Sequence, residues 1–104
     1  MTVFARLEVT PVAEGSLAPE IANAVAALEE FDVTYETTPM DTVIEGESIE
    51  EVFAAAQAAH QAVNTDRVIT SLEIDEYRER DAGLTDRVTA IEKELGRPPK
   101  NTVG

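Results

Sequence analysis

The hydrophobic period of this chain switches repeatedly between two and about three and a half, and the order of the switches restricts the fold more than any single motif. From Val3 to Thr10 apolar residues alternate. Val3, Ala5, Leu7 and Val9 share one face, and Phe4, Arg6, Glu8 and Thr10 the other, as in a half-buried strand. Pro11 and Gly15 end it, and Ser16 is placed to cap a helix in which Leu17, Ile21, Ala24, Val25 and Leu28 recur at helical spacing. Pro19 falls in the first turn of that helix, where a missing N–H is harmless. Val33 to Thr38 and Asp41 to Gly46 read as a strand pair around Pro39 and Met40. Ser48-Ile49-Glu50-Glu51 forms a capping box, and Ile49, Val52, Phe53, Ala56, His60 and Val63 trace one helical stripe. Arg67 to Asp75 alternates again, with Val68, Thr70, Leu72 and Ile74 opposite Ile69, Ser71, Glu73 and Asp75. A charged loop from Glu76 to Gly83 leads to a third amphipathic helix through Leu84, Val88, Ile91 and Leu95, which Arg97-Pro98-Pro99 stops.

The order is β-α-β-β-α-β with an added C-terminal helix. It predicts an α+β fold, a ferredoxin-like βαββαβ sandwich, in one domain over residues 1–97 with 98–104 as a flexible tail. Two helices would cover one face of a four-stranded antiparallel sheet. The other face, expected to mix Phe4, Ile44 and Ile69 with Arg6, Glu8, Thr38, Ser71 and Glu73, invites a second subunit, with the last helix helping to build the contact. The competing expectation is a monomer with a wetted sheet face.

Composition narrows the function. A chain of 104 residues supports one core and no separate catalytic domain. It has no cysteine, which excludes a disulfide framework, a thiolate metal site and a Cys nucleophile. No apolar run approaches membrane-spanning length and the N-terminus lacks a signal pattern, so the expectation is a soluble cytoplasmic protein. The formal net charge is −13, from 21 acids and 8 bases, a balance that repels nucleic-acid phosphates and anionic lipid. Only Lys93 and Lys100 are lysines, and a lysine-poor, acid-rich surface suits a salty, halophilic cytoplasm; an ordinary acidic protein is the blander reading.

The segment Tyr35-Glu36-Thr37-Thr38-Pro39-Met40-Asp41-Thr42-Val43-Ile44-Glu45-Gly46 gathers hydroxyls, a thioether and carboxylates at one strand corner, a mixture able to hold a small polar ligand. It resembles the Tyr-Glu-x-Thr-Pro-Met-x-Thr-Val-Ile-Glu-Gly signature of the small thiamine-binding proteins, relatives of the YkoF-like thiamine and hydroxymethylpyrimidine binders. The resemblance extends to Ala5-Arg6-Leu7-Glu8-Val9-Thr10-Pro11-Val12, to Ala58-Ala59-His60-Gln61-Ala62-Val63, and to Arg67-Val68-Ile69-Thr70 with Glu73-Ile74-Asp75. The chain departs from the pattern at Asp41, where many relatives carry Gly, and in its acidity.

The resemblance implies a homodimer or homotetramer that binds thiamine or a related pyrimidine without turning it over, with no cofactor of its own. Thiamine joins a cationic thiazolium to an aminopyrimidine that donates and accepts hydrogen bonds, so its site needs carboxylates or π-rich walls and orienting hydroxyls. The candidate ligand-binding residues are Glu8, Thr38, Met40, Thr42, Ile44, Ser71 and Asp75, with Glu8 or Asp75 facing the cation. Glu36, Glu45, Glu73 and Tyr35 stand behind them. His60, on an apolar stripe, reads as a packed core histidine before a ligand. The acids of Glu29-Glu30 and of Glu45 to Glu51 lack calcium-loop spacing and read as solvated charge, and Tyr77 and Arg78 in the charged loop are candidate contacts to a neighbouring subunit's pocket. No nucleophile pattern or Gly-rich phosphate loop argues for an enzyme. A structural or regulatory oligomerisation module without a ligand is the alternative.

Overall fold

The computed structural model describes residues 2–79 and 86–99. Its elements are β1 (Thr2–Val12), α1 (Ala18–Leu28), β2 (Val33–Thr37), β3 (Thr42–Gly46), α2 (Ile49–Gln61), β4 (Arg67–Tyr77) and α3 (Asp86–Leu95). The sheet has the order β2-β3-β1-β4 with every pairing antiparallel, the ferredoxin-like arrangement that the element order predicts. Leu84 of the expected third helix, part of the charged loop and residues 100–104 of the expected tail lie outside the described residues.

Register assigns the faces. Val3 pairs with Gly46, Ala5 with Ile44 and Leu7 with Thr42 on one side of β1, and Ala5 with Ile74 and Leu7 with Leu72 on the other. These residues turn toward α1 and α2, where Val3, Ala5, Leu7, Ala24, Leu28, Ile44, Val52, Ala55, Ala56, Ala59 and Val63 form one buried core. Ile44 is fully buried under the helices, which corrects its expected place on the open face. In β3 it is Val43 and Glu45 that share the open side with Arg6 and Phe4. Phe4 is nonetheless 6% exposed, because Tyr77 meets it edge-on with ring centroids 6.0 Å apart.

Several local outcomes differ from the expected ones for identifiable reasons. β1 runs on through Pro11 to Val12. Its pairing with β3 stops at Leu7, so a proline beyond that point forfeits no bond on the β3 side, while β4 continues alongside as far as Val12–Arg67. The N-cap of α1 is Leu17, without a side-chain cap; Ser16 Oγ only accepts a long 3.4 Å bond from the Ala18 N–H. Ser48 does cap α2, accepting from the Glu51 N–H at 3.3 Å. The Glu51 carboxylate does not complete the box: it accepts from the Asp32 N–H at 2.9 Å and so ties the α1–β2 connection to α2. Phe53 falls off the buried stripe and is 52% exposed, because that stripe runs through Val52, Ala55, Ala56 and Ala59. That closeness also explains Gly46: a Cβ there would stand 2.9 Å from Val52 Cγ2 and 3.3 Å from Val33 Cγ1. At the end of α3, Gly96 takes φ +77° and its N–H bonds the Glu92 carbonyl at 2.8 Å, an αL cap.

Among the described residues no helix is long and apolar enough to cross a membrane.

Candidate functional site

β2 and β3 turn around residues 38–41, and the turn is held from inside by one hydroxyl. Thr38 Oγ1 accepts from the N–H groups of Met40 (3.2 Å) and Asp41 (3.0 Å), and is within 2.8 Å of Asp41 Oδ1, to which it donates. The Thr38 N–H closes the corner on the Asp41 carbonyl at 2.8 Å. With Pro39 fixing φ, the corner is a rigid wall standing beyond the end of the β1–β3 pairing.

Between this wall, the sheet and α1 lies a cavity of about 110 Å³. Leu7, Val9 and Thr42 make its floor, and Ile21, Ala24, Val25 and Leu28 of α1 its roof. Thr37, Thr38, Pro39, Met40 and Asp41 close one end, and Glu8 completes the lining. The volume admits one substituted heterocyclic ring and falls short of the roughly 300–1,000 Å³ of drug-sized sites. Ile21 is 40% and Met40 79% exposed, so apolar surface rims the mouth.

Thr42 is the polar group of the floor. It is 7% exposed, and its hydroxyl has no hydrogen-bond partner among the described residues. No fully buried side-chain oxygen or nitrogen among those residues lacks a partner, so the Thr42 oxygen must reach open space, which the cavity provides. It offers one donor and two acceptor positions to an occupant.

Charge at the mouth is uneven. Asp41 Oδ2 lies 3.6 Å from Arg6 Nε, and the same guanidinium donates to Glu73 Oε2 at 3.2 Å on the open face. Glu8, one residue past the last β1–β3 pair, has an exposed side chain with no partner among the described residues. Elsewhere Tyr35 donates to the Glu29 carboxylate at 2.7 Å, a bond that, with the nearby negative charge, raises the phenol above its ordinary value.

Of the seven residues expected to bind ligand, Glu8, Thr38, Met40 and Thr42 line the cavity. Ile44 lies deeper in the core. Ser71 pairs with Glu8 in the β1–β4 register and shares the open sheet face with it, Glu8 reaching the cavity's edge where β3 leaves β1, and Asp75 is opposite Phe4, about 13 Å farther along the strand. Patterning places Ile21, Ala24, Val25 and Leu28 on the inward stripe of α1 but does not reveal that the stripe roofs a cavity. Asp41 stood out only as a departure from the family's pattern. His60 Nδ1 shares a 2.6 Å hydrogen bond with Thr70 Oγ1, away from the cavity. Tyr77 packs on Phe4, and Arg78 donates to Glu76 at 3.0 Å. Among the described residues no three acidic or histidine side chains gather to hold a metal ion.

Residues 5–92 match the family model described as thiamine-binding protein. A UPF0045 protein of Methanothermobacter thermautotrophicus is 39% identical over 98 residues, spanning 89% of this chain and 99% of the relative. Among solved structures, a hypothetical protein of Methanocaldococcus jannaschii superposes with a TM-score of 0.81 at 30% identity, covering 88% of this chain and 97% of the other. A Thermotoga maritima protein provisionally placed in thiamine biosynthesis or salvage superposes with a TM-score of 0.74, covering 88% and 99%. At 22% identity that likeness speaks for the fold alone.

Proposed function

The chain belongs to the thiamine-binding protein family, and on that premise we propose that the cavity between α1 and the β2–β3 corner binds thiamine or its hydroxymethylpyrimidine half without transforming it. The observation that carries the reading is Thr42: a nearly buried hydroxyl without a partner among the described residues, on the floor of a chamber of single-ring size whose floor and roof are otherwise apolar. An aminopyrimidine ring is flat and apolar on its faces and has nitrogen donors and acceptors on its edge, which suits such a chamber. The thiazolium then lies at the mouth, near Glu8, Asp41 and the thioether of Met40. The hydroxyl–carboxylate pair in the lining, Thr38 and Asp41, is committed to holding the corner, with Thr38 Oγ1 also accepting two backbone N–H groups, in keeping with a protein that holds its ligand rather than converts it.

The working form of the protein is a homo-oligomer. α3 displays Val88, Ile91 and Leu95, each more than 40% exposed in the single chain, and Ile69 is 47% exposed on the open sheet face. A second copy burying that stripe, or that face, removes these apolar side chains from water. The same surfaces support the second reading, an assembly module whose sheet face has no ligand to serve.

Calorimetric titration with thiamine and with the free pyrimidine, at low and molar salt and with the oligomeric mass measured in parallel, separates the two. Saturable binding at micromolar levels supports the binder. Folded, oligomeric protein that binds neither compound leaves the assembly module.

A further inference from the structure

We infer that Glu20 is a positioning residue of the cavity, whose carboxylate holds the front of α1 down as a roof and so sets how fast a ligand passes the mouth; this rests on the reading of the cavity as the ligand site. The ends of α1 are held unequally. At the C-terminal end Leu28 is fully buried, the Tyr35 hydroxyl donates to the Glu29 carboxylate at 2.7 Å, and the Glu51 carboxylate accepts from the Asp32 N–H at 2.9 Å. Core, β2 and α2 together fix that end. At the N-terminal end none of residues 18–22 is buried, and Leu17 caps the helix without a side-chain bond. The chain arrives there through residues 12–16, all exposed, with Gly15 at φ +82° in open space. What holds this end is Glu20 Oε1, which accepts from the Asn64 N–H at 2.8 Å across the junction of α2 and β4. Asn23 Nδ2 donates to the same oxygen at 3.3 Å from within the helix. Among the described residues, no other hydrogen bond or ion pair joins residues 13–24 to another element.

The roof divides along the same line. Leu28 lies over the fixed end, while Ile21, beside Glu20 in the chain and 40% exposed, rims the mouth with Met40. Lifting the front of α1 moves Ile21 and widens the mouth, and the polar contact it breaks is Glu20 to Asn64. Lifting the back would draw Leu28 out of the core and break the bonds at Glu29 and Asp32 as well. A hydrogen bond to a carboxylate is stronger than a neutral one, but Asn64 is exposed and water competes for it. Removing the bond therefore raises the open population by about three- to tenfold rather than more. Ligand enters and leaves through the open form, and the bond is the same in the empty and the filled closed forms. Weakening it speeds association and dissociation alike and leaves the equilibrium nearly where it was. A residue that only supports the site would instead weaken the equilibrium.

The test is Glu20→Ala and Glu20→Gln in the full-length protein, with folding checked by circular dichroism. The probe is hydroxymethylpyrimidine, whose neutrality keeps the loss of one carboxylate from altering electrostatic steering. In the ligand-free protein, E20A should raise amide exchange by about three- to tenfold at Asn64 and from Ile21 to Ala24 while leaving Leu28 unchanged. E20Q, which retains an uncharged acceptor of the same length, should raise it less. Titration followed by NMR line shapes should show both binding rates rising by the same factor, with Kd held within about twofold. Unchanged exchange at Asn64 and Ile21 in both variants, or faster exchange with unchanged binding rates, overturns the inference and leaves the cavity as the ligand site. A weaker Kd at an unchanged association rate also overturns it, since Glu20 would then only support the structure. Failure of the folded parent to bind either the pyrimidine or thiamine overturns the ligand site itself, and the role of Glu20 in ligand passage with it.

Discussion

Replacing Thr42 by Val should make the protein more stable and its ligand binding weaker, two changes of opposite sign from one atom. The substitution keeps shape and strand preference and exchanges a hydroxyl for a methyl. In the ligand-free chain that hydroxyl is 7% exposed and has no partner among the described residues, so it carries part of its desolvation penalty without a compensating bond. Complete burial without a partner costs about 1–3 kcal/mol, and residual contact with the cavity puts Thr42 at the low end, near 0.5–1 kcal/mol. Relief of that penalty corresponds to a melting temperature higher by about 2–6 °C for a domain of this size. On the binding side, a lost hydrogen bond of about 0.5–1.5 kcal/mol weakens affinity roughly 2- to 13-fold, and more if the pyrimidine edge is left unpaired. Differential scanning calorimetry and titration calorimetry at one fixed protein concentration measure both, since oligomerisation makes the melting temperature concentration-dependent. A variant that melts several degrees lower and binds as tightly as the parent would refute the reasoning, because it would mean that the hydroxyl bonds the protein and not the ligand.

Gly46→Ala should destabilise by about 1–2 kcal/mol in urea titration. The overpacking against Val52, whose χ1 is stiff, costs about 1–3 kcal/mol, and reduced unfolded-chain entropy offsets about 0.4–1. In a Val52→Ala background, itself destabilised by the cavity it leaves, the added cost of Gly46→Ala should largely disappear, and strictly additive effects would refute the contact. Ser48→Ala should cost about 1 kcal/mol by uncapping α2. It should also raise the Glu50 carboxyl, which its own backbone N–H and then the Ser48 hydroxyl, at 2.8 Å, hold below the ordinary value. Because the folded-state value is lowered, the stability linked to Glu50 is present above the ordinary carboxylate range and is lost as pH falls through the folded value. The variant should show less of that acid dependence, and an unchanged Glu50 titration by NMR would refute it. Ile91→Asp, at the most exposed position of the α3 stripe, should lower the mass seen by light scattering while leaving the β-sheet signal intact; an unchanged mass would show that α3 does not build the oligomer.

Much of the architecture is local and therefore readable from the chain. The alternation of Val3 to Val9, the stripe from Ile21 to Leu28 and the Ser48 cap each state an element within a few residues of itself, and the order of elements admits few sheets. That Thr38, Met40 and Thr42 gather at one corner is legible for the same reason, since a strand corner with that chemistry is a local feature. Ile44 was not. Alternation within β3 separates Thr42, Ile44 and Gly46 from Val43 and Glu45 but is symmetrical between the two faces, and the pairing of Ala5 with Ile44 decides which set meets the helices. Ser71 and Asp75 share a face with Glu8 in the β1–β4 register, and the cavity draws in Glu8 alone because β3 ends its pairing beside that residue.

The sequence by itself determined the elements, their order, the acidic charge and the chemistry of the corner. Only the tertiary structure decided that the inward stripe of α1 roofs a cavity, that Thr42 opens into it unpartnered, that Arg6 is held between Asp41 and Glu73, and that the Glu51 carboxylate serves Asp32 across 19 residues. The physical reason is that periodicity records how a residue relates to its own strand or helix. A cavity or a committed charge is set by pairing across elements distant in the chain, where burial and hydrogen-bond satisfaction are settled for all of them together.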